Sequence, residues 1–363
     1  MSCHTVSILL SIASLATIAF CQVEYPLVIA HRGASGYIPE HTLAAYAIAI
    51  LQGSDYVEPD LVMTKDGHLI ARHDNVLDLT TDIAERAEFA DRKTTKSVDG
   101  KESEGWFSED FTLEEIKTLR AIERIPETRP ANTRFDRMFE VPTLEEIVSL
   151  VQAMESVVNR TIGVYPETKH PSHFASLDLQ MEEPLFAVLT ENGYSGPDAP
   201  VFIQSFEVAN LQKLAGMTEI PLVQLLDSSG QPFDQVLSNG TLTYDEMATA
   251  DGLKAIAEYA SGVGPEKYHF IMPRADDDTL SADTKTTFVD DAHAAGLVVH
   301  PFTFRAENEF LPLNFRNGTD ETAIGDMIGE MELFLEAGID GVFVDHPDIG
   351  KQGVEDFVNS RLL

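Results

Sequence analysis

The feature that most constrains this chain is an alternation: short apolar, β-branched runs separated by stretches with helical apolar spacing. Strands are expected at Leu27–Ala30, Tyr56–Met63, His68–Arg72, Ile162–Pro166, Val201–Ser205, Ile220–Leu226, His269–Pro273, Leu297–Thr303 and Gly341–Val344. Helices are expected at His41–Gln52, Leu144–Val157, Glu182–Glu191, Val208–Ala215, Gly252–Ala260, Ala282–Ala295 and Ala323–Ala337. Gly53, Gly193, Gly296 and Gly338 each fall between a helix pattern and the next strand, where a helix stop belongs. Such alternation calls for an α/β fold with a parallel sheet covered by helices. About eight strand–helix units predict a (β/α)8 TIM barrel rather than an open sheet. Neither a strand-then-GxGxxG fingerprint nor a P-loop is present, which counts against dinucleotide and nucleoside triphosphate sites.

One stretch breaks the rhythm. From 75 to 141 the chain is polar and charge-dense, with Lys93, Lys96, Lys101, Trp106 and a short helix pattern at Leu113–Arg120. It reads as a small inserted subdomain after the third strand candidate, mounted on one barrel mouth.

Charge narrows the partners. The 363 residues carry 25 Lys and Arg against 60 Asp and Glu, a formal net charge of −35. That balance repels nucleic acid and anionic lipid, while carboxylate-rich sites favour hard cations. Val6–Phe20 is an apolar run of 15 residues, short of the roughly 20 a membrane span needs. With Ala19 and Cys21 at −3 and −1 it predicts a signal peptide over 1–21, a mature domain over 22–363 and a secreted protein, periplasmic in a Gram-negative source. Cys3 and Cys21 are the two cysteines, so cleavage there leaves a core that is stable without disulfides. Sequons stand at Asn159, Asn239 and Asn317. After residue 22 no obvious exposed apolar helix argues for stable membrane insertion.

In barrels of this kind, reactive groups sit where strands end and βα loops begin. The first strand ends in His31-Arg32-Gly33, and Gly33 and Gly36 let the backbone pass close to a ligand. Glu58 and Asp60 share one face of the second strand around Pro59. Two inward carboxylates there repel unless a proton or cation lies between them. Arg72-His73-Asp74 brings a second imidazole, and Glu167-Thr168-Lys169 a third carboxylate with a cation on the same face. Each has a plainer reading: strand-end histidines that pack or cap, and a Glu167–Lys169 ion pair. Together, the oxygen donors Glu58, Asp60 and Glu167 suit one divalent cation, Ca²⁺ favoured and Mg²⁺ next. Arg32 and Lys169 would offset a phosphoryl charge, and His31 and His73 would serve as general base and acid. The chemistry is metal-assisted phosphodiester cleavage.

These residues also carry a resemblance. His31-Arg32-Gly33-Ala34-Ser35-Gly36-Tyr37-Ile38-Pro39-Glu40-His41-Thr42-Leu43 resembles the opening signature of glycerophosphodiester phosphodiesterases, in the branch typified by bacterial periplasmic enzymes. Glu58-x-Asp60 and the following Leu61-Val62-Met63-Thr64-Lys65-Asp66, His73-Asp74, Tyr165-Pro166-Glu167-Thr168-Lys169, Gln204-Ser205-Phe206, His300-Pro301-Phe302-Thr303 and Gly341-Val342-Phe343-Val344-Asp345 are similar too, in order and spacing. The resemblance implies a (β/α)8 barrel that hydrolyses a small-molecule glycerophosphodiester, such as glycerophosphocholine, to sn-glycerol 3-phosphate and an alcohol. It places Glu58, Asp60 and Glu167 as metal ligands, His31 and His73 as the acid/base pair, and Arg32 and Lys169 on the phosphate. Gln204, Phe206 and His300 fall at substrate-wall or supporting positions. Glu40 either hydrogen-bonds the site or caps the next helix. Two departures stand out: Pro59 should interrupt strand pairing, and Asp345-His346-Pro347 replaces an aromatic residue that often follows that Asp. A lipid-directed phospholipase and a catalytically silent barrel are the competing classes.

Overall fold

The computed structural model describes residues 25–362; the expected signal segment 1–21, with Cys3 and Cys21, lies outside them. The strands in chain order are β1 (Leu27–His31), β2 (Tyr56–Glu58), β3 (Asp60–Met63), β4 (Leu69–Ala71), β5 (Thr94–Val98), β6 (Lys101–Gly105), β7 (Gly163–Val164), β8 (Glu167–Thr168), β9 (Ile203–Ser205), β10 (Leu222–Leu226), β11 (Gly262–Pro265), β12 (Val298–Val299) and β13 (Gly341–Val344). Parallel pairing runs β13-β1-β2-β7 in one sheet and β12-β11-β10-β9-β8-β3 in another. The sheets are two parts of one barrel. β2 and β3 form a single stave interrupted at Pro59, and β7 and β8 a single stave interrupted at Tyr165-Pro166. Phe304 N donates to Phe343 O at 2.8 Å and Asp340 N to Val299 O at 2.9 Å, closing the seam between β12 and β13. The eight-stave barrel read from the alternation is therefore present.

The interruptions follow from proline chemistry. Pro59 and Pro166 have no N–H to give the ladder, yet their carbonyls still accept, from Glu167 N and Gln204 N, each at 2.9 Å. Only a donor is missing at each break, and Asp60 stays in register opposite Glu167.

Two strand expectations are corrected. His68–Arg72 yields no stave: β4 runs antiparallel to β3, pairing Leu61 with Ala71 and Met63 with Leu69. The stave expected at His269–Pro273 lies earlier, at Gly262–Pro265, and Lys267–Phe270 is a helical turn. Propensity misleads here because β11 carries two glycines and a proline, selected by closeness of packing. A Cβ on Gly264 would stand 2.6 Å from Leu225 Cδ2, and one on Gly262 2.7 Å from Val298 Cγ2.

Side-chain oxygens start the helices that pack outside. Thr42 caps Leu43–Leu51, accepting from Ala45 N, and Thr143 with Glu146 forms a capping box on Leu144–Val158. Glu40 is thus not the cap. Ile29, Tyr165, Val223 and Phe343 fill the barrel interior, with Tyr56 and Phe202 against them.

The 75–141 segment is built from short turns, the β5–β6 hairpin and the helical turn Leu113–Ile116. It has apolar anchors of its own in Ile83, Phe89, Trp106 and Phe111, all buried. Arg72, fully buried, pins its beginning to the first βα loop by donating to Ala71 O, Thr80 O, Glu40 O and His41 O at 2.6, 3.0, 3.2 and 2.7 Å. The sequon residues Asn159, Asn239 and Asn317 are all exposed. No helix among the described residues is long and apolar enough to cross a membrane.

Candidate active site

At the C-terminal mouth of the barrel a cavity of about 450 Å³ is lined by His31, Arg32, Glu58, His73, Glu167, Lys169, Gln204 and Phe206. Lys267, Arg274 and Arg305 line its far side. Five cations thus face one cavity in a protein with a net charge of −35.

The floor is carboxylate. Glu58, Asp60 and Glu167 are buried, and one oxygen from each lies within 4.8 Å of the others. Arg32 N donates to Glu58 Oε2 at 2.8 Å and Gln204 Nε2 to Glu58 Oε1 at 3.2 Å. Gln204 therefore steadies a carboxylate as well as lining the cavity. Burial and repulsion from Asp60 push the Glu58 carboxyl well above its usual range. Burial also raises Glu167, to about 8, against the pull of Lys169 Nζ at 2.9 Å from its Oε1. Asp60 goes the other way: burial would raise it, but Arg32 Nε at 3.2 Å and the hydrogen bond from His41 hold it well below its usual value. Two buried carboxyls pushed up beside a third held ionised form an oxygen-only donor set, which fits a hard divalent cation.

The backbone is bent to build this floor. Arg32 and His41 both take left-handed φ, 62° and 52°, conformations that side chains seldom adopt outside constrained sites. The second of these turns His41 inward, where Tyr46 Oη donates to Nδ1 at 2.7 Å and Nε2–H donates to Asp60 Oδ2 at 2.9 Å. Burial lowers His41 to about 4, so it remains a neutral strut.

Each cavity histidine has its own aspartate. His31 Nδ1 lies 2.6 Å from Asp345 Oδ1, and His73 Nδ1 lies 2.9 Å from Asp74 Oδ2. Because both aspartates are held well below their ordinary pKa by neighbouring cations and histidine, Nδ1 is the donor and Nε2 is the nitrogen left without that bond. Burial and then Arg32 lower His31, while Asp345 opposes them. His73 falls to about 3 through burial, Arg32 and Lys169. His73 reaches the mouth at the returning end of the β3–β4 hairpin, where Arg72 N bonds Asp60 O at 3.0 Å. The strand-end rule found the residue, although the geometry is not that of a barrel strand.

Phe206 lines the cavity with Lys169 Nζ 5.6 Å from its ring. His300 is a correction. It is 1% exposed and lies off the cavity, its Nδ1 3.0 Å from Tyr165 Oη and its ring edge-on to Phe202. A position just after β12 put it in the core packing instead. The sequence reading assigned no task to Asp345, His41, Arg124 or Arg129; Asp345 and His41 lay inside quoted motifs, whereas the two arginines carried no signal beyond charge in a polar stretch.

A closed barrel with paired imidazoles, cations and a carboxylate floor at its mouth defines a phosphoric diester hydrolase. The glycerophosphoryl diester phosphodiesterase family profile matches residues 31–349. A glycerophosphodiester phosphodiesterase of Arabidopsis thaliana is 36% identical over 339 residues, covering 89% of this chain and 84% of its own. The Haemophilus influenzae enzyme is 33% identical over 346 residues, covering 89% and 88%. Among solved structures, an Oleispira antarctica phosphodiesterase in complex with the product sn-glycerol-3-phosphate superposes with a TM-score of 0.56 at 22% identity, over 91% of this chain and 97% of that one. The chain belongs to the glycerophosphodiester phosphodiesterase family, and it is an enzyme of that class.

Proposed function

We propose that the protein hydrolyses glycerophosphodiesters such as glycerophosphocholine to sn-glycerol 3-phosphate and the free alcohol, with a divalent cation held by Glu58, Asp60 and Glu167. The observation that carries this is the convergence in one cavity of two aspartate-oriented imidazoles, Arg32, Lys169 and three carboxylates. Arg32 and Lys169 bind the phosphoryl oxygens. One imidazole Nε2 takes the proton of the attacking hydroxyl, and the other delivers a proton to the leaving alkoxide. Both imidazoles are neutral in the free site; the anionic diester between them opposes that lowering and restores proton affinity to the donor. When bound, Ca²⁺, or Mg²⁺ in its place, supplies charge neutralisation and an anchor for the glycerol hydroxyls.

The alcohol leaves along a wider groove of about 1030 Å³ that shares His73, Lys169 and Phe206 with the cavity and runs between Val98–Lys101 of the inserted hairpin and Tyr244. Export is part of the same reading; its support is the apolar run Val6–Phe20 and the exposed sequons.

The test is release of glycerol 3-phosphate from glycerophosphocholine by purified protein with Ca²⁺, with Mg²⁺ and with EDTA. Release that EDTA abolishes and added metal restores is expected. Undiminished release in EDTA overturns the metal, and no release from folded protein with either metal overturns the substrate. A cyclic phosphate intermediate would mark the glycerol 2-hydroxyl as first nucleophile; its absence would mark water.

A further inference from the structure

The inserted segment reaches into the site through two arginines. Arg129 is buried: Nη2 donates to Asp345 Oδ2 at 2.6 Å, Nε to Glu307 Oε1 at 2.6 Å and Nη1 to Ser35 O at 3.0 Å. Asp345 uses its other oxygen on His31. Five positions earlier, Arg124 Nη1 donates to Asp74 Oδ2 at 3.2 Å, the same oxygen that accepts from His73. Its Nε and Nη2 grip both oxygens of Glu40, at 3.0 and 2.6 Å. Between them Thr128 hydrogen-bonds Glu309, and beyond them Asn132 donates to Ser35 O at 3.2 Å. The stretch from 124 to 132 therefore crosses the mouth as a strap tied to the βα loops on both sides.

We infer that Arg124 and Arg129 are positioning residues: each fixes the carboxylate that orients one of the two histidines, so the insertion sets the alignment of the acid/base pair. Neither arginine bonds a histidine; each acts through an aspartate. A guanidinium fork suits this task because it holds two carboxylates at a set angle. Arg129 spans Asp345 and Glu307, and Arg124 spans Asp74 and Glu40, so neither aspartate can rotate away from its imidazole without breaking a second ion pair. Arg305 Nε also reaches Asp345 Oδ2, at 3.0 Å. Loss of Arg129 therefore loosens that carboxylate without stripping it of charge partners.

This inference rests on the acid/base reading of His31 and His73, and a double-mutant cycle separates the two. Initial rates over a range of glycerophosphocholine concentrations are measured for wild type, Arg129→Gln, His31→Ala and the double variant. The same set is made with Arg124→Gln and His73→Ala, with melting temperatures as a folding control. Each arginine variant is expected to lose about 10- to 100-fold in kcat, the scale seen when the hydrogen-bond partner that orients a metal-ligating side chain is removed, with KM little changed. In the histidine-less background the same substitution should cost nothing further. Equal losses in both backgrounds, or wild-type kcat in the arginine variants, overturn the proposal and leave the strap a purely structural element. Wild-type turnover by the histidine variants overturns the acid/base reading itself, and the positioning role falls with it. If the glutamine variants do not fold, Arg129→Lys and Arg124→Lys keep a cation without the fork. They should show an intermediate kcat that again vanishes in the histidine-less background.

Discussion

Asp345 Oδ1 lies 2.6 Å from His31 Nδ1 across 314 positions of sequence, joining the last barrel strand to the first. The carboxylate fixes which imidazole nitrogen carries the proton. Asp345→Asn keeps the shape but replaces the acceptor with an amide that can turn its NH₂ toward the ring. A fall of about 10²–10⁴ in kcat is expected, from the wrong tautomer and a lost counter-charge, with a lowered melting temperature because Arg129 and Arg305 lose a charge partner. Steady-state rates beside a thermal melt check it.

The histidines themselves should be costly. His31→Ala and His73→Ala are each expected to lower turnover by about 10²–10⁴. Near-wild-type rates in both would remove general acid/base catalysis from the account.

Cation binding should compete with protons. Glu167 is raised to about 8 by burial, so below that pH it holds a proton that a bound cation must displace. Apparent Ca²⁺ affinity should therefore climb from pH 6 to pH 8 and, because Glu58 is pushed up as well, go on rising above it. Calorimetry in buffers of different ionisation enthalpy reads both the slope and the proton release; a flat profile contradicts a protonated floor.

His300 bears on acid stability. Burial lowers it to about 4 from an ordinary 6.5, so the folded state binds its proton more weakly than the unfolded chain. Its contribution is complete above pH 6.5 and is lost as pH falls towards 4, up to about 3 kcal/mol. His300→Gln should flatten that part of the stability profile in urea unfolding at a series of pH values. An unchanged acid slope would assign the loss to other groups.

Arg72 illustrates a purely structural cation. Its guanidinium satisfies four backbone carbonyls, among them those of Glu40 and His41. Arg72→Met leaves these acceptors without their donor and should cost about 2–4 kcal/mol, visible as a shifted urea midpoint.

The barrel was legible because its staves announce themselves twice, in β-branched runs and in the helix stops after them. Where the signal failed, tertiary contact outweighed local preference. Gly262-Val263-Gly264-Pro265 is a poor strand by composition, yet it packs where a side chain would collide with Leu225 and Val298. His68–Arg72 has a strand's pattern and is one, but only an extended pattern can be read locally, not the antiparallel partner that keeps it out of the barrel. At the site, the groups on strand ends and in the glycine turn were readable because period-two alternation puts Glu58 beside Asp60 and Glu167 beside Lys169. Arg124 and Arg129 were not, since their partners are decided by how an irregular segment folds back over the mouth. His300 stood at the right place along its strand and the wrong depth in the barrel.

The five cations gathered at the mouth have a consequence for turnover. Hydrolysis turns a diester with one negative charge into a monoester carrying nearly two at neutral pH. Inside the cavity Arg32 and Lys169 attract either one. Outside the cavity the net charge of −35 opposes either species, and its push on the product is close to double its push on the substrate. The mouth therefore holds the product's extra charge more firmly than the substrate's single charge, and only beyond the rim does the protein's net charge of −35 help the product away.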